Sequence, residues 1–171
     1  MTDQKPEQPP IPDDPQTAAN RAAAKRIDRV NEWLHLGGAL SPDEYQRFRD
    51  AGITHVIDLR EDDDADAERL QALGIARRHV PVPDRGPPTI AQLVEVAEWV
   101  DEEDGSVAMY VHCKGGFGRA ATMAVGLLVV DGVALDDAVE RVRRARPEMR
   151  LNDEQLAWLR TVEQELGKDS T

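Results

Sequence analysis

The sequence predicts an α/β domain, with a central sheet of four or five strands and helices on both faces. Three observations carry that prediction. Residues 53–59 and 107–111 are short, nearly continuous apolar runs, the pattern of strands covered on both faces. Residues 90–101 and 120–130 have helical length, and in the first the apolar side chains recur at 90, 93, 94, 97 and 100. Turn residues (Gly52, Gly74, Asp131-Gly132) stand between these runs. The chain has 171 residues and is 40% hydrophobic, which suits one domain with a real core plus a tail.

Composition narrows the setting. A net charge of −12 disfavours a nucleic-acid surface and non-specific binding to anionic membranes. No apolar run approaches the ~20 residues that span a bilayer, so residues 120–130 read as a core helix. The single cysteine rules out an internal disulfide, and the first residues lack an apolar signal segment. Together these lead us to expect a cytoplasmic monomer that does not engage a membrane.

The elements follow in order. Residues 1–16 are polar and proline-rich and read as a disordered tail, with a solubilising leader favoured over a docking segment, and the folded domain spans 17–167. A short alanine-rich helix from Thr17 should pack onto the domain. Residues 29–36 alternate as one strand ending at Gly37-Gly38. Ser41 caps a helix that runs to about Ala51, with Pro42 at its first position. The strand at 53–59 leads into Glu61-Asp62-Asp63-Asp64, a solvated acidic loop rather than a cation site, because spaced ligands are absent. A helix over 65–73, a strand over 75–82 and a helix capped by Thr89 follow, and Trp99 falls off the centre of that helix's stripe towards solvent. In the helix at 134–146, acids Asp136-Asp137 come early and Arg141, Arg143, Arg144 and Arg146 late, a placement the macrodipole explains without a ligand. Asn152 caps the last helix.

The chain is organised around residues 107–130: a strand, then His112-Cys113-Lys114-Gly115-Gly116-Phe117-Gly118-Arg119, then a buried helix. That order builds an anion site, because loop and first-turn N–H groups converge and the helix dipole adds positive potential. Glycines at 115, 116 and 118 let the backbone curl and approach a ligand closely. A thiol at 113 facing amide donors and a guanidinium should be held as thiolate, the nucleophilic form. Arg119 offers a planar fork matched to two phosphate oxygens. The stretch therefore reads as a nucleophile beneath a bound phosphoryl group.

His-Cys, five residues, then Arg resembles the signature of the cysteine-dependent protein phosphatases, and the chain around it resembles their dual-specificity branch. Asn31-Glu32-Trp33-Leu34-His35-Leu36-Gly37-Gly38, the segment 52–60, Val80-Pro81-Val82-Pro83-Asp84 and Leu151-Asn152 fall in that family's order, over about residues 26–165. The resemblance implies hydrolysis of a phosphomonoester through a cysteinyl phosphate, with no metal or other cofactor and a phosphorylated protein or small molecule as partner. It implies Cys113 as nucleophile, Arg119 and the amides of 114–119 as the phosphate cradle, and Lys114, Gly115, Gly116, Phe117 and Gly118 as the substrate-binding loop. Asp84, 29 residues before Cys113, is by itself equally a turn-forming residue, and the resemblance makes it the general acid. It also gives supporting roles to His112, beneath the loop, and Asn152, near the phosphate pocket. Arg85 is either a substrate contact or solvated. Sulfur transfer and arsenate reduction also use cysteine loops, but neither needs an acid at Asp84.

One departure stands out. The resembling family carries Ser or Thr after the arginine, and this chain has Ala120. A sluggish or pseudoenzymatic variant therefore stays beside the leading reading of a tyrosine or dual-specificity phosphatase, as does a phosphoinositide or other non-protein phosphatase.

Overall fold

The computed structural model describes residues 15–102 and 106–167. The expectation for residues 1–14 lies outside them. Thirteen elements are described, starting with α1 (Pro15–Ala24), two residues ahead of the expected Thr17 and with proline at its first position. Five strands follow in the sheet order β1-β2-β5-β3-β4: β1 (Asp28–Arg29), β2 (Leu34–Gly37), β3 (His55–Asp58), β4 (Ala76–His79) and β5 (Met109–His112). All neighbours are parallel except β1, which pairs antiparallel with β2. The helices are α2 (Gln46–Asp50), preceded by a 3-10 turn at Pro42–Glu44, then α3 (Ala67–Ala72), α4 (Ile90–Glu102), α5 (Arg119–Val130), α6 (Leu135–Ala145) and α7 (Asp153–Leu166).

Three expectations are corrected. The single strand at 29–36 is a hairpin, because Asn31 Oδ1 accepts from the N–H groups of Trp33 (2.9 Å) and Leu34 (2.8 Å) and reverses the chain. The helix from Ser41 to Ala51 is broken into the 3-10 turn and α2. Trp99 is buried, not exposed. Its ring meets the edge of His55 at 4.8 Å and carries the Arg78 guanidinium at 4.6 Å, so α4 is rolled to seat Leu93, Val96 and Trp99 inward.

The sheet divides two apolar layers, and strand parity decides which residue enters which. In β5, Met109 and Val111 face the layer built with α4, α5, α6 and α7, and Tyr110 faces the layer of Tyr45, Phe48 and Leu70. Extending the alternation one residue past the strand puts Cys113 with Met109 and Val111, and it joins their cluster. Helix α5 is buried from Arg119 to Val129 and touches β2, β5, α4, α6 and α7. Each Val or Leu it buries contributes about 1.5–3 kcal/mol, so its N-terminus is fixed by core packing rather than by the loop before it. The chain crosses from β2 to β3 and β4 and only then returns to β5 between them. That reversal opens a crevice at the carboxyl ends of the strands, the usual ligand position in open parallel sheets.

Candidate active site

The crevice is a cleft of about 700 Å³ at the carboxyl end of β5, lined among others by Asp84, Cys113, Phe117, Arg119 and Asn152. Cys113 sits on its floor, only 4% exposed. Its Sγ accepts the Gly116 N–H at 3.1 Å. Arg119, at the first position of α5, is 9% exposed. Its Nη1 donates to the carbonyls of Val82 (3.1 Å) and Leu59 (3.5 Å), while Nη2 lies 3.8 Å from Asp84 Oδ1. One arm of the fork is thus anchored to the ends of two strand segments, and the other faces the Asp84 loop. The cleft brings together Cys113, Arg119, Asp84, Lys114, Gly115, Phe117, Gly118 and Asn152 from the sequence reading.

The loop's shape is imposed from outside. Gly116 has φ 78, and a Cβ there would collide with the Gly37 backbone at the end of β2. Lys114 O accepts from Ala39 N (2.9 Å), and Phe117 O from Arg150 N (2.8 Å). Arg146 contributes most. It is completely buried, and its Nε donates to Gly116 O (2.6 Å) and its Nη2 to Gly115 O (2.8 Å). Nη1 reaches Asp28 Oδ2 (3.0 Å), and the guanidinium lies over the Phe117 ring at 4.9 Å. With those carbonyls held on the outer side, the Gly116 N–H is left to face the sulfur.

The macrodipole account of the late arginines of α6 therefore holds for Arg141, Arg143 and Arg144, which are exposed, and fails for Arg146. The signal was present: Leu135, Ala138 and Val142 form the buried stripe of α6, and Arg146 is the next position on it. A charged residue on an apolar stripe needs buried partners.

His112 is on the other face of the sheet from the thiol, its ring stacked on Tyr110 at 5.7 Å. It reaches the Cys113 carbonyl (3.1 Å) rather than the sulfur, and its Nε2 lies 3.9 Å from Asp58. Burial lowers its pKa from the ordinary value, against the pull of Asp58, so the ring is neutral. Burial alone would raise the Asp58 carboxyl. Hydrogen bonds from Arg60 overcome that and bring it down to about 2, helped by the attraction of His112 at the low pH where that ring is charged. Arg60 donates three times to Asp58, from its backbone N and its Nε (3.0 Å each) and from Nη2 (2.9 Å).

Asp84 is 74% exposed, on a loop whose next residue, Arg85, has φ 63. Asn152 has two jobs. Its Oδ1 accepts from Gln155 N (2.8 Å), capping α7 as expected, and its Nδ2 donates to Arg85 O (2.7 Å). Gln155 Nε2 adds a bond to Gly86 O at 3.3 Å. The residue expected near the phosphate pocket thus tethers the Asp84 loop directly. Among the described residues no group of three His, Cys, Asp or Glu is placed to hold a metal, and no helix is long and apolar enough to cross a membrane.

Comparison with known proteins agrees with this geometry. The chain resembles the crystal structure of Tk-PTP in its active form at 28% identity and a TM-score of 0.74, covering 81% of this chain and 97% of that one. It resembles human DUSP28 at 26% identity and a TM-score of 0.71, covering 82% and 94%. PTPMT1, at 22% identity and a TM-score of 0.75 over 82% and 96%, shares the fold. Residues 39–167 match the family described as Swiss Army Knife protein, DSP-PTPase phosphatase domain. A buried cysteine after the central strand, at the head of a buried helix, is what that family predicts, and the chain belongs to it: it is a cysteine-based phosphatase of the tyrosine and dual-specificity superfamily.

Proposed function

We propose that Cys113, Arg119 and Asp84 carry out the hydrolysis of a phosphomonoester in two steps. The thiolate of Cys113 attacks phosphorus, an S–P bond forms, and the P–O bond to the leaving group breaks. Asp84 gives its proton to the departing oxygen. As a carboxylate it then takes a proton from the water that attacks the cysteinyl phosphate, the S–P bond breaks, and inorganic phosphate and thiolate are released. Arg119 and the loop amides hold the non-bridging oxygens throughout.

The observation that carries this reading is the Gly116 N–H aimed at Cys113 Sγ at 3.1 Å, on the floor of a cleft that also holds Arg119. Asp84 is supported by its 3.8 Å approach to Arg119. The test is hydrolysis of p-nitrophenyl phosphate and phenyl phosphate by wild type, Cys113→Ser and Asp84→Asn, with acid quench and mass spectrometry of Cys113. Cys113→Ser should lose at least about a thousandfold in turnover, as removal of a nucleophile does elsewhere. Asp84→Asn should lose far more on phenyl phosphate, whose leaving group is poor, than on p-nitrophenyl phosphate. Turnover that survives Cys113→Ser would end the proposal.

A second reading concerns the pace of the second step. Ala120 is fully buried at the start of α5, and the nearby Thr122 hydroxyl is already committed to Gly118 O at 2.8 Å. No hydroxyl from either position is free to assist the sulfur as it leaves, which supports slow hydrolysis of the phosphoenzyme.

A further inference from the structure

The cleft departs sharply from the charge of the molecule that holds it. The chain carries 33 acidic residues against 21 basic ones. Most of its basic side chains are engaged, Arg26, Arg60, Arg77 and Arg146 in ion pairs with buried carboxylates among them. Around the cleft the balance is reversed. Arg85, Lys114 and Arg150 line it with Arg119 and with Arg21, which is already engaged, and among the described residues Asp84 is the one acidic residue in the lining. The side chains of Arg85, Lys114 and Arg150 are exposed and have no partner among the described residues.

These three cations come from separate segments, and the main chain of each is pinned. Lys114 O accepts from Ala39 N at 2.9 Å, Arg150 N donates to Phe117 O at 2.8 Å, and Arg85 O accepts from Asn152 Nδ2 at 2.7 Å. Arg85 is held there in the left-handed region (φ 63), a conformation that costs a non-glycine residue energy and persists only where neighbours enforce it. Fixed stems with uncommitted heads describe a binding rim, not the solvated flexibility of an ordinary surface arginine.

We propose that this rim recognises a second anionic group on the substrate, so that the preferred substrate is a compact, multiply phosphorylated small molecule such as a polyol bisphosphate head group. The inference rests on the reading of Cys113 as the nucleophile for one phosphate. Three cations surrounding a single cleft suit charge held close to the scissile phosphate. An acidic phosphopeptide long enough to leave the cleft would meet the field of a chain whose net charge is −12, and like charge opposes it. A compact polyphosphate meets only the rim.

The test compares kcat/KM for an inositol bisphosphate, the matching inositol monophosphate, p-nitrophenyl phosphate and an acidic phosphotyrosine peptide. It uses wild type and the variants Arg85→Gln, Arg150→Gln and Arg85→Gln/Arg150→Gln. A fourth arm presents the bisphosphate head group on lipid in phosphatidylcholine vesicles. The bisphosphate should exceed the monophosphate by about tenfold at low salt, the sum expected of a few exposed charge contacts, and the advantage should shrink as salt rises. Each single variant should cut the bisphosphate-to-monophosphate ratio about threefold, and the double variant should bring it close to one. Preference for the free or the lipid-borne head group supports the proposal and identifies the source. A ratio near one in wild type, a ratio unmoved by the double variant, or a faster reaction with the acidic peptide would overturn it while p-nitrophenyl phosphate turnover leaves the nucleophile assignment standing. Loss of Cys113-dependent turnover on every substrate would overturn both.

Discussion

Two loops meet over the cleft, and they are held in different ways. The cysteine loop, 113–118, is clamped on all sides: by Gly37 against Gly116, by Ala39 and Arg150 on its flanks, and by the buried Arg146 on two of its carbonyls. The acid loop, 83–86, hangs from the side chains of Asn152 and Gln155, with one internal turn bond from Gly86 N to Pro83 O at 2.9 Å. Cys113 is buried where Asp84 is mostly exposed. The difference matches the tasks proposed for Cys113 and Asp84. A nucleophile and its oxyanion donors have to stand in place before the substrate arrives, because catalysis by preorganised dipoles fails if they must reorient. A general acid must approach a leaving group that enters and departs, and the Asp84 side chain proposed for that role is exposed while the loop main chain is held at Arg85 and Gly86.

The largest break in this contrast should come from Arg146. Its fork satisfies two loop carbonyls and Asp28 at once, all in the interior. Arg146→Met should cost about 3–5 kcal/mol, because it leaves the Gly115 and Gly116 carbonyls without their donor and takes from buried Asp28 one of its two arginines, Arg26 remaining. For a domain of this size that is a fall of roughly 10 °C in Tm. Arg146→Lys keeps the charge but cannot reproduce the three-way fork, so it should recover Tm partly and kcat hardly at all. Calorimetry with steady-state kinetics checks both. A Tm within about 2 °C of wild type would mean that the two loops are equally loose.

Next is the acid limb of stability beneath the cysteine loop. His112 is lowered in the folded protein, so the unfolded chain protonates first. Its contribution is complete above pH 6.5 and is lost as pH falls below that value. Asp58 is lowered to about 2, so its contribution is complete above its ordinary 3.8 and is lost as pH falls towards 2. Both act in the same direction. The Tm should decline as pH drops below 6.5 and steepen below 4, and Asp58→Asn should flatten the second part.

The acid loop should respond to a gentler change. Asn152→Ser keeps an N-cap acceptor for α7 but removes the donor to Arg85 O. Stability should move by only a few tenths of a kcal/mol, as between good caps. Turnover of phenyl phosphate should fall about tenfold, with p-nitrophenyl phosphate little affected, since only the first needs the acid. Asn152→Ala should add about 1 kcal/mol of destabilisation from the lost cap. Equal losses on both substrates would mean that Asn152 shapes the phosphate cradle and not the acid loop.

This contrast also separates what was legible in the sequence from what was not. Strand 109–112, the glycine loop and helix 119–130 follow from local pattern, and the Asn152 cap, from its own side chain and Gln155, could be read in the same way. The reversal at Asn31 was missed because an asparagine within an alternating run gives the same period-two signal whether or not it turns the chain. Arg146 was missed because its partners are about 30 and 118 residues away. Only its place on the apolar stripe betrayed it, and charge was allowed to outweigh periodicity. Trp99 failed the opposite way: the stripe at 90, 93, 94, 97 and 100 is displaced from the buried face of Leu93, Val96 and Trp99, because α4 packs Trp99 against His55 and Arg78, which no local pattern contains.

The smallest expected effect tests the fixed loop from within. If the clamped geometry already supplies every donor the second step needs, a hydroxyl at position 120 is superfluous. If it does not, Ala120 is where the site is incomplete, since Thr122 spends its hydroxyl on Gly118 O. A neutral hydrogen bond contributes ~0.5–1.5 kcal/mol, so Ala120→Ser should speed phosphoenzyme hydrolysis about two- to tenfold. In stopped-flow assays the wild type should give a burst of p-nitrophenol followed by slow turnover. The variant should show a smaller burst and a faster steady state, with an unchanged burst rate constant. A burst and steady state both indistinguishable from wild type would mean that the amides and Arg119 suffice to release the sulfur, and that the slow step lies with the acid loop instead.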